Sequence, residues 1–382
     1  MFKGKKIASF LNYQTTIFGF IILSFLFDFI DKVEIFYKID FIKFNRYLKI
    51  VFVSYSFIFI LCHKQYVLKT IKYAIYTFLI ISVVFLLKFN YSNLYVNEYL
   101  RYAFVFVTFP LIYYPYFIKD SEFFYRVYII LKSFIILNVI VIALGFIFEI
   151  KGFQSYSSGR FGFNGFILSQ GVTPYIYLSA TIIFWLMKDK KMMVLIVLIS
   201  VLSGIKGVYF AEFVLFCLLI LCSKKLKKQS KALILGLIFI GFSFFTLVLL
   251  NQTIFKNLID SKGWLSAIFS LRTEYTIELL NKITTENFNV LIGVIKLDKV
   301  RLELQVVDIF LFLGILGMAT YIFFMYSFYN DIIKRTYSIV FFITTICLSG
   351  LIGNLFYIPM ASILFFLTLF TLESNITTIV TK

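Results

Sequence analysis

The sequence predicts an all-α, polytopic integral membrane protein, a single transmembrane helical bundle over residues 1–382. The first observation is composition: 61% of the residues are hydrophobic and only 15% are charged, whereas soluble proteins carry about 25% charged residues. The second is the length of the apolar runs, which repeatedly reach the roughly 17 to 25 residues that a helix needs to cross a bilayer. The third is that runs such as SFIILNVIVIALGFIF are apolar on every side, unlike the alternating strands of a transmembrane β-barrel.

Charge between the runs predicts the orientation. Three lysines in MFKGKKIASF precede the first run, and cytoplasmic segments of membrane proteins are enriched in Lys and Arg. We therefore expect the N-terminus inside, an uncleaved first span, and twelve spans near residues 8–30, 46–62, 71–88, 101–118, 127–149, 165–187, 192–204, 207–222, 232–250, 305–329, 337–352 and 355–372. Both termini are then cytoplasmic, together with short lysine-rich connections such as SKKLKKQSK.

The least regular part of this pattern is the stretch 192–222, which the motif SGIKG interrupts. Both flanks are strongly basic and should be cytoplasmic, which requires an even number of crossings. We expect two short helices with Lys206 at the turn on the outer side, the side opposite the N-terminus. One long tilted helix is the alternative.

The largest segment outside the predicted spans lies on the outer side, between about residues 251 and 304. Its stretch SLRTEYTIELLNKI places Leu271, Tyr275, Leu279 and Leu280 on one helical face, so we expect short helices there. The chain has no room for a soluble catalytic domain. Any chemistry would have to occur at the membrane surface.

The net charge of +18 does not require nucleic acid as a partner, because lysines at helix ends set topology and contact anionic lipids. No metal or cofactor is expected either. The single histidine and the cysteines lack the spacing of a metal site; they are His63, Cys62, Cys217, Cys222 and Cys347.

Six cations fall on the outer side, against the usual charge asymmetry: Arg101, Lys151, Arg160, Lys206, Arg272 and Arg301. Such a charge faces a cavity or a partner, or it extends to lipid headgroups, an alternative that stays open for Lys151 and Lys206. Arg160 and Arg272 are arginines in a chain that mostly uses lysine. Their planar guanidinium groups suit bidentate binding of phosphate or pyrophosphate.

Carboxylates near the outer side are few: Glu98, Glu149, Glu274, Glu303 and Asp308. Glu303 and Asp308 lie at the mouth of the span 305–329 and one turn inside it. A buried carboxylate there would have a raised pKa and could act as a base. A salt bridge from Glu303 to Arg301 or Lys299 is the alternative, and Glu212 is expected to be a structural partner inside the bundle.

Three short motifs, in this order, resemble the O-antigen polymerase and ligase family, integral glycosyltransferases of the Wzy and WaaL type with a GT-C-like fold. RFGFNGFILSQG has Arg160 and Gly171 at the family's spacing of arginine, ten residues, glycine. In LSGIKGVYFA, Ile205 and Lys206 stand where the family usually has Ser-Arg. The third motif follows the outer loop, and the resemblance covers about residues 153 to 321.

The third motif departs from the ligase pattern. ELQVVDIFLFLGILG has Gly314 and Gly317 at the positions of the ligases' Gly-x-x-Gly. Glu303 stands where the ligases have a histidine, and Leu304 replaces the polar residue that follows it. A glutamate at this position looks like the polymerases, so the resemblance favours a polymerase.

The resemblance implies an enzyme of the bacterial inner membrane with its site on the periplasmic face. It would transfer a growing glycan from undecaprenyl pyrophosphate to a sugar hydroxyl of a new lipid-linked repeat unit, inverting the anomeric carbon without a metal. It implies Glu303 as base or acceptor-positioning residue, Arg160 and Arg272 as pyrophosphate ligands, and Lys206 and Arg301 as secondary ones; Asp308 and Tyr275 are further candidates. The implied partners are the lipid-linked oligosaccharide and polymer, membrane lipids and a chain-length regulator.

Two other functions remain open at this stage. One is an O-antigen ligase of the same family, which attaches finished polymer to a different acceptor. The other is a flippase for lipid-linked oligosaccharides or another secondary transporter. Transporters usually contain internal repeats and charges near the bilayer midplane, and the sequence shows no matching half-repeats.

Overall fold

The computed structural model describes residues 12–39, 43–89, 91–157, 160–224, 226–268, 272–285, 288–294, 302–351, 353 and 355–374. Within these ranges the chain forms fifteen α-helices, one 3₁₀ turn and one two-stranded antiparallel hairpin. The all-α prediction is confirmed, with the small hairpin as an addition that the sequence did not indicate.

The first nine helices are α1 (Tyr13–Tyr37), α2 (Phe44–Cys62), α3 (Lys64–Thr70), α4 (Lys72–Leu86), α5 (Asn93–Phe117), α6 (Ser121–Phe148), α7 (Thr173–Leu186), α8 (Lys190–Leu202) and α9 (Lys206–Cys222). The remaining elements are α10 (Lys228–Leu250), α11 (Thr253–Ile268), α12 (Arg272–Thr285), β1 (Phe288–Asn289), β2 (Gly293–Val294), α13 (Gln305–Ile332), α14 (Thr336–Leu351) and α15 (Pro359–Glu373). The 3₁₀ turn, Lys151–Phe153, lies between α6 and α7.

An apolar helix lies at each position where a span was expected, and α3, α11 and α12 are additional. Among the described residues, four helices are long and apolar enough to cross a membrane: α2, α6, α10 and α13. Four shorter apolar helices accompany them: α4, α7, α14 and α15. These helices indicate a membrane-embedded protein.

Helix α5 packs against α2, α4 and α15, and aromatic rings form much of the core. Phe109 of α5 contacts Phe324 of α13 and Phe366 of α15, with ring centroids 5.4 and 4.9 Å apart. Edge-to-face contacts of this kind stabilise a core beyond the burial of their area. Most side chains of α10 face outward instead, so this helix lies at the periphery of the bundle.

The segment 163–172 differs from its prediction, because the expected span 165–187 begins with irregular backbone and α7 starts only after it. Irregular backbone at membrane depth is stable only where protein groups satisfy its polar atoms. Lys32 of α1 donates to the Gly165 carbonyl at 2.7 Å. Asn138 of α6 accepts a backbone N–H of the same segment at 2.9 Å.

The stretch 192–222 forms two helices, as expected, rather than one tilted helix. The break lies at Gly204, whose φ is +64°. A side chain there would collide with the backbone of Phe161 and Gly162. The loop that contains Phe161 packs directly on the backbone of this turn, which leaves no room for a side chain at position 204.

Helix α13 is broken at Gly314, where φ is +67°. The hairpin lies against this break: Val290 accepts the N–H of Ile315 at 2.9 Å, and Leu291 accepts that of Leu316 at 3.2 Å. Helix breaks are stable when the freed backbone groups find such partners. On the other side of the break, the Nζ of Lys88 donates to the carbonyl of Phe312.

Candidate functional site

Arg160 lies in the loop between α6 and α7, and two aromatic rings hold its side chain. Its guanidinium carbon lies 4.0 Å from the ring centroid of Tyr156 and 4.5 Å from that of Phe255. One terminal nitrogen donates to the Gly204 carbonyl at 3.3 Å. The Nε atom is buried and has no hydrogen-bond partner among the described residues.

Burial lowers the pKa of the Arg160 guanidinium, although an arginine remains charged at neutral pH. The same burial raises the pKa of the Tyr156 phenol, so that this ring remains neutral. Arg160 is therefore a charged group in a largely aromatic setting, and its Nε–H finds no acceptor among the described residues. An anion arriving there would gain a strong interaction, because little water competes for the guanidinium.

Lys206 is the first residue of α9, at the turn where it was expected. Its Nζ lies 4.1 Å from the centroid of the Phe255 ring, the ring that Arg160 also contacts. It donates to the carbonyls of Ala267 and Ile268 at the end of α11, the second at 3.2 Å. The charges of Arg160 and Arg272 both act on it. The turn between α8 and α9 thus brings its cation to the C-terminal end of α11.

Arg272 begins α12 and pairs with Glu303. Its terminal nitrogen donates to the Glu303 carboxylate at 2.6 Å, and its Nε donates to the Leu302 carbonyl at 3.0 Å. The side chain of Arg272 is 16% exposed, whereas that of Glu303 is 65% exposed. Glu303 also has a left-handed backbone conformation, φ +56°, which is uncommon for a residue with a side chain.

The other predicted residues have different positions. Asp308 is 5% exposed and accepts the backbone N–H of Leu302 at 3.1 Å, so the expected burial applies to Asp308 and not to Glu303. Tyr275 is 40% exposed on α12. Arg301, and with it Lys299, lies outside the described residues.

The three predicted glycines occupy close contacts. Gly314 is at the break in α13, and a side chain there would collide with the Leu291 carbonyl of the hairpin. A side chain on Gly317 would collide with that of Leu313. Gly171 lies in the wall of a cavity, where an added Cβ would come within 3.0 Å of Ile358.

This cavity has a volume of about 1220 Å³ and lies between α1, α2, α5 and the segment that precedes α7. Glu303 also lines it, as do Tyr357 and Ile358 from the segment before α15. The carboxylate that pairs with Arg272 therefore also forms part of the cavity wall. Arg160, Lys206 and Arg272 are not among the residues that line the cavity.

The cavity contains charged side chains that the sequence analysis did not select: Asp28, Asp31, Glu34, Lys43, Arg46 and Lys49. A signal was present, because Asp28 and Lys49 fall within the predicted spans 8–30 and 46–62, where ionisable residues usually serve a function. Arg101, an expected outer cation, also lines the cavity and donates to the phenol of Tyr357.

Comparison with known proteins gives no match: no family model, no curated protein and no solved structure is similar to the chain. The site itself must therefore carry the functional argument. It offers three cations close together, an exposed carboxylate and an adjoining cavity. Such groups can bind an anionic leaving group and accept a proton from an incoming hydroxyl.

Proposed function

We propose that the protein is a membrane-embedded glycosyltransferase that polymerises lipid-linked polysaccharide repeat units. It transfers the growing glycan from undecaprenyl pyrophosphate to a sugar hydroxyl of a new lipid-linked repeat unit. One observation supports this proposal above the others: Glu303 joins a group of three cations to the wall of a cavity large enough for an oligosaccharide.

The reaction is a displacement at the anomeric carbon. The acceptor hydroxyl attacks, the bond to the pyrophosphate oxygen breaks, and the configuration inverts. Glu303 accepts the proton of the hydroxyl, and its exposed carboxylate is accessible from the cavity. Arg160, Arg272 and Lys206 stabilise the charge of the leaving lipid pyrophosphate.

The ion pair between Arg272 and Glu303 implies that the donor binds before Glu303 acts on the acceptor. A pyrophosphate carries more negative charge than one carboxylate, so it competes for the Arg272 guanidinium. When it binds, Glu303 loses its partner and can act as a base. Binding of the donor would in this way prepare the carboxylate for the acceptor.

The proposal places twelve helices across the bacterial inner membrane with both termini in the cytoplasm. The loop before α7, the turn between α8 and α9, and the helices α11 and α12 then share the periplasmic side. The predicted orientation puts the cations of these segments next to the headgroup region, where the pyrophosphate of a lipid-linked glycan lies. A polymerase site at this depth needs no separate soluble domain.

The test is elongation by the purified protein in liposomes, supplied with a lipid-linked repeat unit and analysed as a ladder of glycan lengths. Wild-type protein should produce the ladder, and Glu303→Gln should leave the single repeat. Glu149→Gln is the matched control, because Glu149 is an exposed carboxylate on the predicted outer side that does not line the cavity. A normal ladder from Glu303→Gln would show that Glu303 does not act as the base.

A second candidate is transport of a lipid-linked oligosaccharide. It is favoured by the charged residues within α1 and α2 that line the cavity, since such charges mark translocation paths in many transporters. The same liposomes distinguish the two functions. A transporter would move a labelled lipid-linked glycan to the other leaflet without lengthening it, and a ligase would lengthen only a different acceptor.

A further inference from the structure

The two main walls of the cavity carry charges of opposite sign. The wall formed by α1 is acidic, with carboxylates at intervals of three residues: Asp28, Asp31 and Glu34. The wall formed by the start of α2 is basic at the same intervals: Lys43, Arg46 and Lys49. Side chains three positions apart share a helix face, so each wall presents a row of like charges.

These two rows do not neutralise each other by direct contact. The ion pairs within the described ranges are those of Glu122 with Arg126, Lys132 with Asp189, and Arg272 with Glu303. Lys49 acts electrostatically on Asp28 and Asp31 but forms no ion pair with them. Both rows line the same cavity, so a ligand there can interact with both.

Single side chains in the walls are oriented toward this space. Asp28 accepts the N–H of Leu168 at 3.2 Å, which fixes its carboxylate at the cavity edge. Asn45 lines the cavity, and its Oδ1 is buried without a hydrogen-bond partner among the described residues. An unused acceptor beside a row of carboxylates favours a ligand that brings N–H or O–H donors.

The basic wall extends to α5. Arg101 lines the cavity, donates to the phenol of Tyr357, and lies with its guanidinium carbon 4.6 Å from the centre of that ring. The Tyr357 hydroxyl in turn donates to Glu98 at 3.2 Å. The position of Arg101 is therefore fixed before any ligand binds, which favours recognition of an anionic group on this side.

A ligand that fills the cavity removes water from both rows. Unpaired charges lose hydration free energy under these conditions unless the ligand supplies opposite charges. A neutral sugar would satisfy some hydrogen bonds but leave the charges uncompensated. A ligand with a cation toward α1 and an anion toward α2 compensates both walls.

We propose that the cavity binds a sugar that carries a free amino group and an anionic group, either a phosphate or a carboxylate. The ammonium faces Asp28, Asp31 and Glu34, and the anion faces Lys49, Arg46 and Arg101. This inference rests on the proposed function and specifies its substrate, a charged amino sugar of the lipid-linked glycan lying next to Glu303. The volume of about 1220 Å³ suits an oligosaccharide better than a phospholipid headgroup.

The test is calorimetric titration of the purified full-length protein with four small probes. Glucosamine 1-phosphate carries both charges, N-acetylglucosamine 1-phosphate lacks the ammonium, glucosamine lacks the phosphate, and phosphoethanolamine has both charges without a sugar. We expect glucosamine 1-phosphate to bind at millimolar concentration and about tenfold more tightly than each of the others.

Two variants test which wall recognises the ammonium and which recognises the phosphate. Asp31→Asn should bind glucosamine 1-phosphate no better than its N-acetyl analogue, because the acidic wall has lost a charge. Lys49→Gln should bind it no better than glucosamine. Glu149→Gln, outside the cavity, should behave as the wild type. Because the two variants change different walls, misfolding of one still leaves the other as a test.

The proposal is overturned if the wild type binds no probe, or if it binds the acetylated and free amino sugars equally. Equal or tighter binding of phosphoethanolamine would also overturn it, since the cavity would then recognise a lipid headgroup. None of these outcomes touches the polymerase proposal, which depends on the glycan ladder of the Glu303→Gln variant. Conversely, a transporter could retain the charge preference without producing a ladder.

Discussion

The guanidinium of Arg272 lies 2.6 Å from the carboxylate of Glu303, although 31 positions separate the two residues along the chain. Arg272 is largely enclosed, with 16% of its side chain exposed, while Glu303 remains accessible at 65%. The enclosed cation therefore positions an accessible acid. This pair connects the group of three cations with the cavity.

Removing either member of this pair should slow glycan elongation to a similar extent. Arg272→Ala and Glu303→Gln are each expected to lower the initial rate of glycan elongation by about 100-fold or more. The double variant should be little worse than the single ones, because residues that act together are not additive. Initial rates in liposomes measure this, with thermal unfolding to confirm that each variant is folded. If the fold-losses of the two single variants multiplied in the double variant, the two residues would not act as a unit.

Donor binding should require both the charge and the planar shape of the Arg160 guanidinium. Arg160→Lys keeps the charge but loses the flat contacts with Tyr156 and Phe255, so we expect about a tenfold rise in donor KM. Arg160→Ala should raise it about 100-fold. Steady-state kinetics with varied donor measure both. Arg126→Ala is the control, because Arg126 is an exposed arginine whose side chain contacts Glu122 and Gln14 rather than the aromatic rings around Arg160. Equal KM values for all three variants would exclude Arg160 from donor binding.

Gly314→Ala should destabilise the protein by about 1–3 kcal/mol. The new side chain would have to adopt a left-handed conformation and would collide with the hairpin carbonyl of Leu291. Thermal unfolding in detergent measures the loss. Gly241→Ala is the matched control in α10, where nothing lies within 4 Å of an added Cβ. An unchanged melting temperature for Gly314→Ala would show that the hairpin does not depend on this close approach.

Asp308 should hold the backbone next to Glu303 in place rather than act as a base. It is buried and accepts the N–H of Leu302, the residue before Glu303. Asp308→Asn keeps an acceptor oxygen and is expected to retain most elongation activity, whereas Asp308→Ala should lose about tenfold or more. Elongation rates across pH decide between the roles. If Asp308→Asn were inactive at every pH while still folded, the acid itself would be required.

Much of the helical architecture follows from the sequence, because each apolar run is a local signal. The two helices of the stretch 192–222, for example, follow from basic flanks and the interruption at SGIKG. The irregular segment 163–172 could not be foreseen in the same way. Its backbone is stabilised by Lys32 and Asn138, which come from other parts of the chain.

The site shows the same division between local and distant information. The sequence indicates Arg160, Lys206 and Arg272 one by one, as cations on an unusual side of the membrane. It does not indicate that Phe255 lies between two of them, nor that Arg272 meets Glu303. Likewise, the opposing rows on α1 and α2 become a cavity only when the two helices pack side by side.

The shared position of Phe255 has one more consequence. Arg160 comes from the loop before α7 and Lys206 from the turn before α9, yet both rest on this single ring. A movement of α11 that withdraws the ring removes an aromatic contact from both cations in the same step. Two cations from separate segments would then respond as one unit, and the number of cations available to a ligand would change by two rather than by one.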